Sequence, residues 1–550
     1  NYEPGYGRTR KVKLKSYSGD ILFSIVMPVY NVDLKWLDKA IESIEKQNYK
    51  NWEICIADDC SPNQEVREHL LSISNNKIKV KLLDKNQGIS GATNEAASLA
   101  SGDYILLMDN DDELAHSALH EFYQKIKKDG SEILYSDMDI IDAKGRTRDP
   151  LCKPDWSPDL FLSQMYLGHL VGFKKSLFDE VGGFRSEFNG SQDYDLLLRM
   201  TEKTDKIGHV AEILYHWRDL PSSTAANPES KPYAQIAGLN AIQEHLNRVY
   251  GSGKAIAHET DNLFVYDVRY PMEEEPMVSI IIPIKDHVEL LKAAIDSIFE
   301  KTTYKHYEII VLNNNSEKEE TFAYLRELVE CHENVRVEDA LFEFNWSKLN
   351  NYGMQFAKGD VFVCLNNDVK VIEPEWLTRL VEKAIRSDVG VVGGLLLYED
   401  NTIQHAGVVI GMGGWADHVF KGMTPQHYGS PFISPMVTRN VSAVTGACLA
   451  VSRKTIEKIG GFNEQFIVCG SDIELALRAN KHGLVNIYDP NVKLYHFESK
   501  SRDASKIPQI DFDLSDKMYK DYRKNGDPYF NRNLDYYCCQ PKIRTSAVLA

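Results

Sequence analysis

No apolar run in this chain approaches the roughly 20 residues a helix needs to cross a bilayer. Runs such as Ser279–Ile284 are only strand-sized. Cysteine is sparse, nine in 550 residues, and lacks paired metal-ligand spacing. That argues against a disulfide framework or a zinc cluster and for reduced thiols in a cytoplasmic protein. Adjacent Cys538 and Cys539 read as ordinary thiols. Positive charge is short: 63 Lys and Arg stand against 80 Asp and Glu, for a net charge of −17. A nucleic-acid binder usually carries a basic face, so no nucleic-acid partner is expected. An anionic small molecule is still allowed, because a bound divalent metal can supply local positive charge. One basic cluster, Arg8, Arg10, Lys11, Lys13 and Lys15, falls in an N-terminal tail, residues 1–20. It reads as solvated, with contact to anionic lipid or an assembly partner as the alternative.

What is present is an internal duplication. Phe23–Tyr30 (FSIVMPVY) and Val278–Ile284 (VSIIIPI) are short apolar runs with a proline near the end, as buried parallel strands entering a loop would be. Amphipathic stretches follow at Leu34–Lys46 and Val288–Glu300. Second strands with polar ends follow these, Trp52–Ser61 (WEICIADDCS) and Tyr307–Ser316 (YEIIVLNNNS). Strand, helix, strand in this order predicts a right-handed parallel crossover. The match continues. Asn94–Gly102 pairs with Asn351–Gly359, and YILLMDNDD at Tyr104–Asp112 with VFVCLNND at Val361–Asp368. A GGF followed by QDYDLLLR in the first half pairs with a GGF followed by SDIELALR in the second. LYHW at Leu214–Trp217 pairs with LYHF at Leu494–Phe497. The expected organisation is therefore two α/β modules, residues 21–225 and 277–503. A helical linker at 226–276 and a C-terminal helical segment at 504–550 complete it.

In open α/β sheets, ligands bind beyond the carboxyl ends of the strands, and the acids gather there. Asp58 and Asp59 close one strand; Asp109, Asp111 and Asp112 close another. Hard oxygen ligands of this kind suit Mg²⁺ or Mn²⁺ carried with a diphosphate, although a D-x-D alone is equally an Asx-rich turn. Asp193 opens an apolar-periodic run, as a helix cap would. The second half departs from the first. Asn313, Asn314 and Asn315 stand where the first acids stood, and Asn366-Asn367-Asp368 replaces Asp109-Asn110-Asp111. Glycine-rich Gln404–Gly422 reads either as an acceptor loop, with Trp415 and His418 its candidate contacts, or as a hairpin with packed aromatics.

Together these motifs resemble inverting glycosyltransferases of family 2, which have the GT-A fold, over roughly residues 20–535 and twice. The resemblance implies roles residue by residue. Pro28 and Tyr30 belong to the opening motif that holds the nucleotide, with Pro283 and Lys285 their counterparts; Lys285 could meet phosphate. Asp58 or Asp59 accepts a hydrogen bond from the nucleobase, and Asn313 and Asn314 take that place in the second module. Asn86 lies beside the ribose and donor sugar. Asp111 coordinates a divalent metal, Mn²⁺ or Mg²⁺, while Asp109 supports the ribose or metal shell; Asp368 and Asn366 correspond. His216 and His496 match a late histidine that completes the metal shell. Asp193 and Asp472 match the catalytic base, although Gln192 stands where the family usually has Glu.

The implied function is a bifunctional inverting transferase adding sugars to a bacterial surface polysaccharide: an O-antigen, a capsule or a rhamnose-rich glycan. Its expected partners are UDP- or dTDP-sugar donors and a glycan acceptor carried on lipid, which places it in the cytoplasm, with contact at the inner membrane face. No Q-x-x-R-W motif of the processive synthases follows either base. The alternatives are one active module with a degenerate, polysaccharide-binding second copy, a scaffold of dead folds, or a nucleotidyltransferase.

Overall fold

The computed structural model describes residues 16–220, 231–497 and 507–544. The N-terminal basic cluster lies outside them. The sequence repeat is a structural repeat. In the first module the sheet runs Ile78–Leu82, Trp52–Asp58, Phe23–Val29, Tyr104–Leu107, Val171–Lys174, Ile133–Ile141, Ile207–Arg218, Glu113–Leu114. In the second it runs Val335–Asp339, Tyr307–Asn313, Val278–Ile284, Val361–Leu365, Cys448–Ser452, Val389–Leu397, Val485–His496, Val369–Val371. The order is the same. Each first set of four strands is parallel in the pairings Phe23↔Trp52 and Val278↔Tyr307, and the fifth strand is antiparallel. The two opening strands are apolar along their length because helices cover both faces of a parallel sheet; Phe23–Val29 is buried throughout.

The duplication reaches into the hydrogen bonds. Ser24 Oγ donates to Glu53 and accepts from the Gly102 amide at 2.9 Å. Ser279 does the same with Glu308 and Gly359, also at 2.9 Å. Asn94 clasps the backbone of Phe184 in the first GGF, giving and receiving bonds of 2.9 Å. Asn351 clasps Phe462 of the second GGF at 2.9 and 2.8 Å. Two motifs far apart in sequence are thus one structural device, used twice.

Between the modules, Lys231–Tyr250 is the expected helix. The rest of that stretch carries an antiparallel ribbon, Ile256–Glu259 with Tyr266–Arg269, rather than more helix; its partners are joined by the turn-forming Thr260-Asp261-Asn262. The modules meet at a buried polar seam. Arg386 of the second pairs with Asp159 of the first at 2.5 Å. Asn440 receives the Asp159 amide at 3.0 Å and donates to its carboxylate at 2.8 Å. At the C-terminus, Gln509–Asn525 is helical and 526–544 is irregular. Asn531, in that irregular part, donates to Asp137 of the first module at 2.8 Å. Among the described residues no helix is long and apolar enough to cross a membrane. All nine cysteines are free thiols.

Candidate active sites

Parallel strands place their carboxyl ends along one sheet edge, and the acid motifs sit there. In the first module Asp58 is buried. Its carboxylate accepts from the Ser61 amide at 3.1 Å and from Arg67 at 3.0 Å. Asp59 takes the Gln87 amide at 2.6 Å, while Asn86 donates to the Asp59 carbonyl at 3.1 Å. This fixes the loop entering helix Gly88–Ala97. Pro28 offers its carbonyl to Asn110 at 2.8 Å, tying the opening strand to the D-x-D turn. Tyr30 stands free at 54% exposure, available to a ligand.

The second module keeps this backbone and changes its polarity. Asn313 pairs with Ile284 as Asp58 pairs with Val29. Cys60 and Asn315 both sit at φ 58°. The following serine, Ser61 or Ser316, caps an amide of the opening loop at 2.8 or 3.0 Å. The side-chain partners differ. Asn313 donates to Asp339 at 2.8 Å, where Asp58 had an arginine. Asn314 donates to the carbonyls of Ala340 and Phe342, both at 2.8 Å, which turns its amide oxygen away from them. The exchange is consistent: an acid with a cationic donor becomes an amide with an acid acceptor. Lys285 is exposed, in a loose 3.7 Å pair with Glu317, and Pro283 lies within its strand.

The D-x-D turn of the first module crowds three acids. Asp112 is buried; it accepts from the Tyr215 hydroxyl at 2.5 Å and the Arg218 amide at 2.7 Å. Burial, then repulsion from Asp109, pushes the Asp111 carboxyl up to about 6. Arg218, stacked 4.3 Å over Trp36, opposes that rise. Asp109 keeps one side open, with His169 Nε2 3.6 Å from its carboxylate.

The late histidines are not equivalent, contrary to the sequence match. Leu114 and Val371 occupy the same place, each amide bound to a helix serine, Ser43 or Ser297, at 3.1 or 3.0 Å. One residue on, Ala115 bonds the carbonyl of Leu214, whereas Ile372 bonds that of Lys493. The LYHW strand is therefore slipped by one residue against LYHF. Side chains alternate faces along a strand, so the slip turns His216 over. Tyr215 faces the acids, and His216 Nδ1 instead lies 2.5 Å from Asp139. His496 does face its acid: Nε2 is 3.4 Å from Asp368 and 3.4 Å from Asn366 Nδ2. In the first module the imidazole beside the acids is His169, stacked on Tyr215 at 4.9 Å. Its register counterpart in the second module is Ala447, since Tyr104↔Lys174 matches Val361↔Ser452. The sequence motifs did not include His169. Aligning the fifth strand, VGFK with CLAVS, was the signal that could have found it.

Both base candidates open helices, Gln192–Thr201 and Ser471–Lys481. Arg199 anchors its helix to the GGF turn through the carbonyls of Val181 and Gly183, both at 2.7 Å. Arg478 does so through Ile459 and Gly461 at 2.5 and 2.7 Å. Asp193 accepts the Tyr194 amide at 2.8 Å. Asp472 accepts the Ile473 amide at 2.8 Å and the Gly446 amide at 2.7 Å. Burial raises both carboxyls; nearby His169 and His418, respectively, work against the rise. A base must be ionised, so a rate that depends on either group falls as pH drops through the raised value. The acidic limb of the pH–rate profile is therefore expected above the unperturbed aspartate value, and a limb at or below that value would contradict this.

The glycine-rich insertion is a hairpin, Val408–Ile410 against Ala416–His418. His418 Nδ1 lies 2.8 Å from the Gln404 carbonyl, with its ring edge-on to His405. Trp415 is 40% exposed and meets Phe512 of the C-terminal helix edge-to-face at 5.3 Å. A cavity of about 940 Å³ lies elsewhere, at the seam among Trp156, His245, Tyr250 and Arg386. None of the acid-motif residues lines it, and its charges are largely paired with one another, as in Arg248–Glu202 and Arg386–Asp388. Among the described residues no three His, Cys, Asp or Glu side chains converge as a ready-made metal set.

Two sheets with parallel N-terminal halves, each with an acid turn and a helix that opens on Asp193 or Asp472, define a tandem α/β transferase architecture of the GT-A kind. The chain belongs to glycosyl transferase family 2, whose family model matches residues 24–182 and again 279–460. It is 39% identical over 541 residues to protein y4gI of Sinorhizobium fredii, covering 96% of this chain and 59% of that one. It is 37% identical over 519 residues to the O-antigen biosynthesis protein RfbC of Myxococcus xanthus, covering 93% of this chain and 40% of that one. It is 34% identical over 122 residues to the UDP-Glc:alpha-D-GlcNAc-diphosphoundecaprenol beta-1,3-glucosyltransferase WfgD of Escherichia coli, covering 22% of this chain and 47% of that one. The chain thus spans about three fifths of the first of these relatives and two fifths of the second.

Proposed function

We propose that the chain is a bifunctional inverting glycosyltransferase, each module using its own nucleotide-sugar donor to extend a bacterial surface polysaccharide. The observation that carries this is the double occurrence of one arrangement. In both halves a base-bearing helix is tied by arginine to a GGF turn, which is clasped by an asparagine of helix Gly88–Ala97 or Trp346–Phe356. In each module Asp193 or Asp472 takes the proton of the acceptor hydroxyl as its oxygen attacks the anomeric carbon. The nucleoside diphosphate leaves from the opposite face, so one displacement inverts the configuration. Asp58, Asp59, Asn313 and Asn314 line the nucleobase pockets. The altered polarity of the second pocket favours different donors, from the UDP- and dTDP-sugars, in the two modules. The names of RfbC and WfgD support an O-antigen-type product and an acceptor on a lipid diphosphate.

A divalent cation, Mn²⁺ or Mg²⁺, fits both sites. Asp111, with Asp109 beside it, would hold one; a cation would relieve the repulsion from Asp109 that adds to burial in raising Asp111. Asp368 and His496 would hold the other, and the buried His496 Nδ1 has no hydrogen-bond partner among the described atoms. A bound cation supplies charge to the departing diphosphate. His216, held by Asp139, takes no part in this set. Trp415 is proposed as a stacking face for the acceptor sugar, with His418 beside it.

The test is a donor panel with manganese, following diphosphate release by wild type, Asp111→Asn and Asp368→Asn. Each variant is expected to lose turnover of a different donor, and a chelator to abolish both. Loss with Asp111→Asn alone would leave the second module as a binding copy, the reading its neutral Asn366 favours. No donor turned over, with or without metal, would overturn the proposal.

A further inference from the structure

Each catalytic-base candidate is followed in the chain by a helix that comes back onto the loop in front of it. In the first module this is Lys231–Tyr250, reached from strand Ile207–Arg218; in the second it is Gln509–Asn525, reached from strand Val485–His496. By its sequence the first reads as a linker and the second as a terminal appendage. Their contacts are more specific. Asp511, 1% exposed in the first turn of the C-terminal helix, accepts three successive backbone amides. These are Ile467 at 2.8 Å, Val468 at 2.8 Å and Cys469 at 3.0 Å. The next residue, Gly470, caps the helix that begins Ser471-Asp472. It sits at φ +98°, and a Cβ there would lie 2.8 Å from the Phe466 ring and 3.0 Å from Ser515 Oγ of the same C-terminal helix. On the other side, Trp346 and Ser347 bind the carbonyls of Ile467 and Phe466, both at 2.8 Å.

The first module has a counterpart with different chemistry. Ser191, two residues before Asp193, donates to the Ala234 carbonyl at 2.8 Å. Gly190 packs so closely that a Cβ would lie 2.5 Å from the Tyr233 ring and 3.0 Å from Ala234 Cβ.

We propose that the helix trailing each module is a clamp that sets its base, and that Asp511 is the positioning residue of the second clamp. A carboxylate bonded to three consecutive amides is a charge-assisted contact that fixes the path of the loop as well as its place. Asp472 lies three residues beyond the last of those amides. A base must stand within hydrogen-bond reach of the hydroxyl it deprotonates, so a small displacement of this loop is a large loss of rate. The functional unit is then the sheet domain plus its trailing helix, and the segment around 509–525 belongs to the second site. The catalytic half of this inference rests on the function proposed above.

The test compares wild type, Asp511→Asn, Asp511→Ala and, as a control on the exposed side of the same helix, Asp513→Asn, all in the full chain. Hydrogen exchange is followed at the amides of 467–469, and turnover in the UDP- and dTDP-sugar panel with manganese. Both Asp511 variants are expected to exchange faster at these three amides. They are also expected to lose about 10- to 100-fold in kcat for the second module's donor, with its KM and the first module's turnover unchanged. Asp513→Asn is expected to match wild type. Should Asp511→Ala not fold, the near-isosteric Asp511→Asn carries the same test. Unchanged exchange would overturn the clamp; so would faster exchange with unchanged kcat, or a rise in KM alone. If wild type turns over no donor, the proposed function fails while the exchange result still decides whether Asp511 holds the loop.

Discussion

Asp193→Asn is expected to lower turnover of the first module's donor by about 10²- to 10⁴-fold, the range general-base catalysis contributes. The substitution keeps shape and keeps an oxygen for the Tyr194 amide, so the helix Gln192–Thr201 retains its start. It removes the group proposed to accept the acceptor proton. Asp195 on the same helix does not replace it, being committed to Arg185 and Arg199 at 2.5 and 2.7 Å. Donor KM is expected to hold, because Asp58, Asp59 and Asp111 are untouched. Rates measured under saturating donor and acceptor check this. A variant with wild-type kcat would remove Asp193 from the chemistry.

Asp159→Ala is expected to cost about 3 kcal/mol of stability, because breaking a buried pair leaves an uncompensated charge. Arg386 is 8% exposed and Asp159 4%, so neither end is screened by solvent. Alanine also deprives Asn440 of its carboxylate acceptor. Asp388 remains beside Arg386 but is 52% exposed, and recovers only part of the loss. Asp159→Asn keeps an acceptor for Asn440 and is expected to cost less. Denaturant unfolding of the two variants measures the difference. Equal midpoints for wild type and Asp159→Ala would mean that the seam contributes nothing.

Much of this architecture is legible in the sequence because parallel strands buried on both faces leave continuous apolar runs, and their polar ends mark one sheet edge. FSIVMPVY and VSIIIPI became the central strands of two sheets with one strand order. The repeated asparagine, GGF and arginine features stood out in sequence, and the structure shows why: they touch. What was not legible depends on register and on long-range contacts. LYHW and LYHF look alike, yet a one-residue slip in pairing turns His216 to Asp139 and leaves His496 at Asp368. No local pattern reports such a slip. His169 escaped because HLVGF at 169–173 corresponds to ACLAV at 447–451, where alanine stands in place of the histidine. The acid-for-amide exchange at Asn313 was visible; its compensation by Asp339 was not, since Asp339 lies on the neighbouring strand. In the linker the apolar spacing marked the helix at Lys231–Tyr250, whereas the ribbon after it carried no such signal.

Two sites on one chain raise the effective concentration of the first product at the second site, so a bifunctional enzyme gains from tethering without any new contact. The seam at Arg386 and Asp159 would hold the modules in a constant relation during that transfer.

Linkage analysis of the glycan made by wild type, Asp193→Asn and Asp472→Asn, each supplied with the same donors and acceptor, bears most directly on two active sites in one chain. Wild type is expected to form two kinds of glycosidic linkage, with each variant missing a different one. A product from Asp472→Asn with both linkages in wild-type proportion would contradict catalysis by the second module.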